Sequence, residues 1–382
     1  MHAASVRDIL NLYNPANPLE QASTIPAPWY RDSRIAELER ASVFGATWQV
    51  VGRVDQVRDR GQFFTADLAG EPLVVVRGDD TQLRAFYNVC RHHAAAVVPE
   101  AQGCAKQFRC PYHGWTYGID GALKGMVEFD GVQNFDRADN GLVPVRVDTW
   151  EKFVFVNLDR HAAPLQNFLG AVPQLVAPLE LAKKLHYFHR RIYPLNCNWK
   201  VYVDNYLDGG YHVPHAHKGL SCVIEYTKYT IENFERACLQ SSPLSSDGNT
   251  TAGVAATRQG RAFYLWIYPN FMINAYEGVM DTNLVVPLGT DKCAVVFDYY
   301  FADTSAAAEA HNNASIAVSE KVQDEDMAIC DAVQRGLHSR AYVAGRLSVR
   351  REAGEHLFHR LLHADLTSAL TSPAAADVHG PR

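Results

Sequence analysis

Two short pairs, Cys90-x-His92 and Cys110-x-x-His113, stand seventeen residues apart in a stretch of β-rich sequence. Four metal-ligating side chains at that spacing constrain a fold more than any apolar run, because one metal centre must draw two loops together. The runs around them are short: WQVVGRV, GQFFTADLAG, PLVVVRG and LRAFYNVC, parted by Gly and Asp turn signals. Asp120-Gly121 in YGIDGALKG marks a hairpin. Residues 47–160 therefore read as a small all-β domain. Two Cys-His pairs on hairpin-like loops suit either zinc or a two-iron cluster in which two histidines replace two cysteines on one iron. Pro111, Gly114 and Gly118 suit tight loops, Trp115 and Tyr117 offer shielding, and the pairs lie within β segments, not beside a recognition helix. These details favour the cluster. Cys104 has no histidine at motif spacing and reads as a loop cysteine. The five cysteines beyond this region, Cys197, Cys222, Cys238, Cys293 and Cys330, are scattered singly and read as buried thiols.

The C-x-H, C-x-x-H pattern resembles the Rieske motif, which implies that Cys90, His92, Cys110 and His113 hold a [2Fe-2S] cluster. The family usually continues with Arg-Gly after the first histidine. This chain has His93 and Ala94, a departure that leaves the ligands intact and bears on the hydrogen bonding and charge around the cluster. A cluster alone makes an electron carrier, and a carrier has no need of the two hundred or so residues that follow.

Those residues carry a second concentration of ligands, DNYLDGGYHVPHAHKG at 204–219. His212 and His215 are one helical turn apart and would share a helix face. Pro214 weakens a continuous helix, and an irregular backbone would instead bring His212 and His217 together. Around this stretch, residues 1–46 read as helical pieces with SRIAELERASVFG the clearest, and PLQNFLGAVPQLVAPLELAKKL reads as helix. HYFHRRIYPLNCNWKVYVDNYLDGGYH reads as a strand leading into a helix. Residues 222–302 return to strands, and long helices follow from Thr304. A sheet packed on long helices makes the region 161–370 α+β, with 371–382 expected to be a disordered tail. HLFHRLLH places His356, His359 and His363 on one helix face, but with no carboxylate or cysteine at matching positions it reads as core packing.

NWKVYVDNYLDGGYHVPHAHKGL is similar to the mononuclear-iron segment of the Rieske non-haem iron oxygenases. The resemblance implies that His212 and His217 bind Fe(II), with His215 left as a pocket residue. It implies a carboxylate from VQDEDMAICDAVQRGL, where the matching residue is Asp326, with Asp324 and Glu325 nearby. Two histidines and a carboxylate leave iron positions open for oxygen and substrate. The family's catalytic domain is a helix-grip fold around an antiparallel sheet. It works as a homotrimer in which an acid links a cluster histidine to an iron histidine of the neighbouring subunit. Many members place that acid three residues before the first iron histidine, where this chain has Gly209. Asp208 is the expected bridge and Asp204 the reserve.

Within the family the likeness runs to the choline monooxygenase branch, through CNWKVYVDNYLDGGYHVPHAHKG, FYLWIYPNFMIN, VVFDYYF and EDMAICDAVQRGLHSRAYVAGR. That branch implies choline oxidised to betaine aldehyde with O2, using NAD(P)H electrons from a flavin/iron-sulfur reductase or a ferredoxin. Carnitine, betaines and aromatic compounds are the alternative substrates, and a bare Rieske electron carrier is the alternative outside enzymes. A quaternary ammonium is best held by aromatic faces, and Tyr206, Tyr211, Tyr264, Trp266, Tyr268, Phe271 and Tyr276 are the aromatic candidates.

The formal net charge of -6 gives no reason to expect nucleic acid or an anionic membrane surface as partner. No apolar run reaches the roughly 18 residues of a membrane span. The N-terminal MHAASVRDILNLYNPANPLE shows no basic start, long apolar core or cleavage signature, so a cytoplasmic location is expected.

Overall fold

The computed structural model describes residues 4–221, 224–244 and 260–371. The expected tail beyond Thr371, and Cys222, lie outside the described residues. The described residues form two compact units: one is Arg40–Phe168, and the other joins residues 4–39 to residues 169–371.

The first unit is all β. Its larger sheet has the order β1-β10-β9-β4-β3-β2-β5, built from β1 (Gln49–Arg53), β2 (Gln62–Leu68), β3 (Glu71–Arg77), β4 (Leu83–Tyr87), β5 (Gln102–Cys104), β9 (Pro144–Trp150) and β10 (Phe153–Asn157). A small sheet, β6 (Gln107–Arg109), β7 (Thr116–Gly118) and β8 (Leu123–Gly125), stands beside it. The Asp120-Gly121 hairpin forms as expected. Gly121 takes a φ of +85°, open to glycine at no steric cost, and the Gly118 amide donates to the Ala122 carbonyl at 2.9 Å. Phe63, Phe86, Phe108, Trp115, Tyr117 and Leu123 share one core that also encloses Cys90 and Cys110. The two ligand loops thus emerge from packed strands: one follows β4, and the other is the tip between β6 and β7.

The second unit is α+β. Its antiparallel sheet runs β11-β17-β16-β15-β14-β13-β12, from β11 (His186–Leu195), β12 (Thr230–Asn233), β13 (Ala237–Pro243), β14 (Arg261–Ile267), β15 (Phe271–Tyr276), β16 (Val279–Pro287) and β17 (Cys293–Phe301). Three helices matter to the site: Trp199–Leu207, Glu309–Leu337 and Ala353–Thr371. The first packs against the other two and against β16. The N-terminal segment joins them through a buried ion pair, Lys200 Nζ to Glu39 Oε1 at 2.6 Å, with Trp199 Nε1 donating to Glu39 Oε2 at 2.8 Å. No helix among the described residues is long and apolar enough to cross a membrane.

Two helical expectations break up. The segment from Pro164 to Leu185 forms short pieces, Leu165–Leu169, Val172–Val176, Ala177–Leu179 and Leu181–Lys184. Gly170 and Glu180 interrupt it with φ of +54° and +49°, and Pro173 and Pro178 each start a new turn where their missing amide costs nothing. The SRIAELERASVFG helix runs only from Ser33 to Glu39 before widening into a π-helical turn, Arg40–Phe44.

Candidate metal centres and active site

The two ligand loops of the first unit repeat one backbone turn. The Ala94 amide donates to the Cys90 carbonyl at 2.9 Å, and the Gly114 amide to the Cys110 carbonyl at 3.0 Å. Both turns close through a left-handed residue, Ala94 at φ +61° and Gly114 at φ +72°. This doubling brings Cys90, His92, Cys110 and His113 into one cluster of donors. The cysteines are buried, and the His92 and His113 rings lie 4.7 Å apart. Burial pushes the Cys110 thiol up, while backbone amides of Tyr112 and His113 aimed at its sulfur pull the other way. The Tyr117 hydroxyl lies 3.4 Å from Cys90 Sγ and accepts from the Arg91 amide at 3.0 Å. Trp115 stacks on His92 at 4.8 Å, 5° from parallel. His92 Nδ1 is buried with no hydrogen-bond partner in the structure, a donor atom that an iron would satisfy. Two thiols and two imidazoles, with that orphaned nitrogen among them, fit a Rieske cluster. His93 sits at the rim, its ring 4.2 Å from His92 and 5.3 Å from His113. Cys104 is exposed and its Sγ faces the Arg60 carbonyl at 3.7 Å, in keeping with a loop cysteine.

In the second unit, the helix Trp199–Leu207 ends at Asp208, and the chain then turns through Gly209 (φ +69°) and Gly210 (φ +68°). A single helical turn, Val213–Ala216, follows with Pro214 in its first positions. His212 caps the start of that turn and His217 its end, so the two side chains converge while His215 faces solvent. The helix-face pairing of His212 with His215 fails because the turn is only four residues long. His212, His217 and Asp326 present donor atoms all within 4.8 Å of one another. Asp326 Oδ1 lies 3.1 Å from His217 Nε2 and 3.6 Å from His212 Nε2, and it accepts from Asn205 Nδ2 at 2.9 Å.

The opposite ring nitrogens are each held by a carboxylate. His212 Nδ1 pairs with Asp208 Oδ2 at 2.5 Å, and His217 Nδ1 with Glu325 Oε2 at 2.7 Å. Asp208 also accepts from the amides of Tyr211 and His212. Burial pulls both histidines down, but Asp208 and Asp326 at His212, and Asp326 and Glu325 at His217, outweigh it and raise them. Carboxylates on both Nδ1 atoms fix the rings and leave the Nε2 atoms facing Asp326, the arrangement a metal-bound histidine needs. Two imidazoles and a carboxylate fit a mononuclear Fe(II).

A Cβ at Gly209 would lie 2.1 Å from the Arg351 carbonyl oxygen, so that position accepts no side chain. Asp204, the reserve, is engaged elsewhere. It accepts from Tyr30 Oη at 2.6 Å and from His359 Nε2 at 3.0 Å. Glu355 lies 3.8 Å from the same His359 nitrogen. The histidine-rich helix therefore does have carboxylates beside it. Glu355 stands one helical turn before His359, a pairing visible in the sequence, and Asp204 arrives from another helix. The Tyr30 donor makes the group a hydrogen-bonded core network. Burial, followed by the charges of Asp204, Glu352 and Asp208, pushes Glu355 well up.

A cavity of about 130 Å³ opens beside His212, His217 and Asp326. One row of paired residues crosses five strands of the sheet at this cavity: Gln240, Tyr264, Asn274, Asp281 and Tyr299. Residues paired across antiparallel strands point to one face, and all but Tyr299 line the cavity. Tyr206, Tyr229, Tyr264 and Tyr276 supply aromatic walls. The Tyr229 and Tyr264 rings stack at 6.4 Å, and Tyr276 meets Tyr264 edge-on at 6.0 Å. Burial pushes Tyr206, Tyr229 and Tyr264 well up, so these three are neutral phenols. Of the aromatic candidates, Tyr206, Tyr264 and Tyr276 reach the cavity, Trp266, Tyr268 and Phe271 are buried outside its lining, and Tyr211 is exposed. Tyr229, Asn205, Asp281 and the Glu325 contact to His217 were not singled out for these roles from sequence. Asp281 carried one signal, an acid inside the apolar run VMDTNLVVP.

Residues 47–136 match the family model described as the Rieske [2Fe-2S] domain, and 182–368 match the ring hydroxylating alpha subunit catalytic domain. The chain is 40% identical over 379 residues to a chloroplastic choline monooxygenase of Arabidopsis thaliana, covering 95% of this chain and 88% of that one. It is 32% identical over 363 residues to a carnitine monooxygenase oxygenase subunit of Escherichia coli (strain K12), covering 91% and 94%. Among solved structures, a quaternary ammonium Rieske monooxygenase described in relation to carnitine oxidation by gut microbiota superposes with a TM-score of 0.81 at 28% identity, covering 93% and 96%. Naphthalene 1,2-dioxygenase from Rhodococcus sp. shares the fold, with a TM-score of 0.76 at 19% identity, covering 92% and 95%.

Proposed function

The chain belongs to the Rieske non-haem iron oxygenases as an alpha subunit, and on that premise we propose that it is the oxygenase component of a monooxygenase that oxidises choline to betaine aldehyde. The observation that carries this reading is the cavity beside His212, His217 and Asp326, walled by neutral tyrosines. A quaternary ammonium donates no hydrogen bonds, so aromatic faces are its best neutral partners. The identity to choline monooxygenases and carnitine oxygenase subunits supports the same substrate class.

Cys90, His92, Cys110 and His113 would hold the cluster and receive single electrons from a separate flavin/iron-sulfur reductase or ferredoxin. His212, His217 and Asp326 would hold the iron, which supplies oxygen activation when bound. The rest is the work of this chain's own residues. Asp208 fixes the His212 ring and, in the homotrimer that family membership suggests, would meet a cluster histidine of the neighbouring subunit. Glu325 fixes His217, and the tyrosine walls exclude water and orient the substrate's alcohol carbon toward the iron donors.

Substrate-dependent oxygen uptake tests the reading. With reductase and NAD(P)H, choline is expected to stimulate uptake and yield betaine aldehyde, ahead of carnitine, glycine betaine and simple aromatic acids. Preferred turnover of any other member of that panel overturns choline as the substrate. A protein that binds iron only in the cluster, and turns over none of them with added Fe(II), is an electron carrier.

A further inference from the structure

The row across the sheet places a carboxylate in the cavity wall. Asp281 is 3% exposed, and its Oδ2 accepts from Asn274 Nδ2 at 2.7 Å. Asn274 is itself aimed by its neighbours: its Oδ1 accepts from Tyr206 Oη at 2.8 Å, and its amide also reaches Asn283 Oδ1 at 3.0 Å. Tyr206, Asn274 and Asn283 all line the cavity, so this chain of bonds fixes the acid among the aromatic walls. The acid is distinct from the iron donors and from the carboxylates on their Nδ1 atoms. Among the described residues lining the cavity there is no lysine or arginine.

An ionised carboxylate in a buried site acts through a lower dielectric than water, so its attraction for a cation and its repulsion of an anion are both strengthened, and the bound cation in turn favours the ionised form. An aromatic wall attracts the same cation through the ring faces. A trimethylammonium that ends in a hydroxyl gains from both. One that ends in its own carboxylate gains at one end and is repelled at the other.

We propose that Asp281, held by Asn274, is the counter-charge for the substrate's quaternary ammonium and the residue that selects choline over carboxylate-bearing quaternary amines such as glycine betaine and carnitine. The inference rests on the reading of the cavity as a quaternary ammonium site. It adds a named specificity residue to that site.

Equilibrium binding by calorimetry to the metal-loaded protein tests it. The ligands are choline, glycine betaine and 3,3-dimethylbutan-1-ol, the uncharged carbon isostere of choline. Wild type is expected to bind choline at least about tenfold more tightly than glycine betaine. Asp281→Asn keeps the size of the side chain and its acceptor for Asn274. It is expected to weaken choline roughly tenfold, leave the uncharged isostere within about twofold, and narrow the gap between choline and glycine betaine. Asp281→Glu, which restores the charge, is expected to recover much of the choline preference. Equal weakening of choline and the isostere would assign Asp281 a packing role and overturn the proposal, as would equal or tighter binding of glycine betaine by wild type. Wild-type binding of the uncharged isostere with no affinity for choline or glycine betaine would overturn the quaternary ammonium reading itself. An unchanged choline affinity in Asp281→Asn would leave that reading standing and remove only Asp281.

Discussion

Ala94 closes the first cluster loop at φ +61°, where its counterpart in the second loop, Gly114, has no side chain to strain. A left-handed alanine costs about 1 kcal/mol relative to glycine. Ala94→Gly is therefore expected to stabilise the folded, cluster-loaded protein by up to about that amount, less the added freedom of the unfolded chain. Chemical denaturation followed by cluster absorbance reads it, and a lower midpoint would contradict the strain. Legibility at this scale followed chemistry that declares itself in spacing. Cys90, His92, Cys110 and His113 stood out because two pairs of soft ligands have few other uses. His217 did not, because helical periodicity favours His215. What brings His217 to His212 is a helix of one turn with the two residues at its ends, a length that Pro214 hinted at without fixing. Asp208 was legible only as one of two acids, and the approach that bars a side chain from Gly209 comes from Arg351, 142 residues away in the chain.

At the scale of elements, the strands were easier to read than the helices. Alternation and Gly turns marked the sheets, whereas Pro164–Leu185 carried helical composition with breakers at Gly170, Pro173 and Pro178 that divide it. The cavity wall was illegible for a different reason. The row from Gln240 to Tyr299 is a matter of register between five strands, and no local pattern reports it. The meeting of the Trp199–Leu207 and Ala353–Thr371 helices was hidden in the same way, and it leaves Glu355 buried beside Asp204. Burial raises Glu355 above its ordinary value of 4.5 in the folded protein. A raised folded value means that the folded state holds the proton more tightly than the unfolded chain. That contribution is fully present below about pH 4.5 and is lost as pH rises through the folded value. Glu355→Gln keeps the neutral form at every pH. The variant's stability is expected to exceed wild type increasingly from pH 5 to 8, read as denaturant midpoints across that range. Parallel profiles would show that Glu355 is not the group responsible.

For the whole molecule, one chain supplies two donor sets of different chemistry: thiols and imidazoles in the β unit, and imidazoles with a carboxylate in the α+β unit. The β unit suits electron transfer, and the second brings His212, His217 and Asp326 beside a tyrosine-walled cavity. The all-β and α+β division was legible in texture, and the family resemblance joined the two donor sets into one oxygenase. In the proposed oxygenase the two centres act together on choline. The direct measurement is to reduce the metal-loaded protein, mix it with oxygen with and without choline, and follow cluster reoxidation by absorbance together with betaine aldehyde. Choline is expected to accelerate reoxidation and product to appear on the same time course. Asp208→Ala should retain both metal centres while losing that coupled phase. Reoxidation indifferent to choline, with no betaine aldehyde formed, would contradict the account.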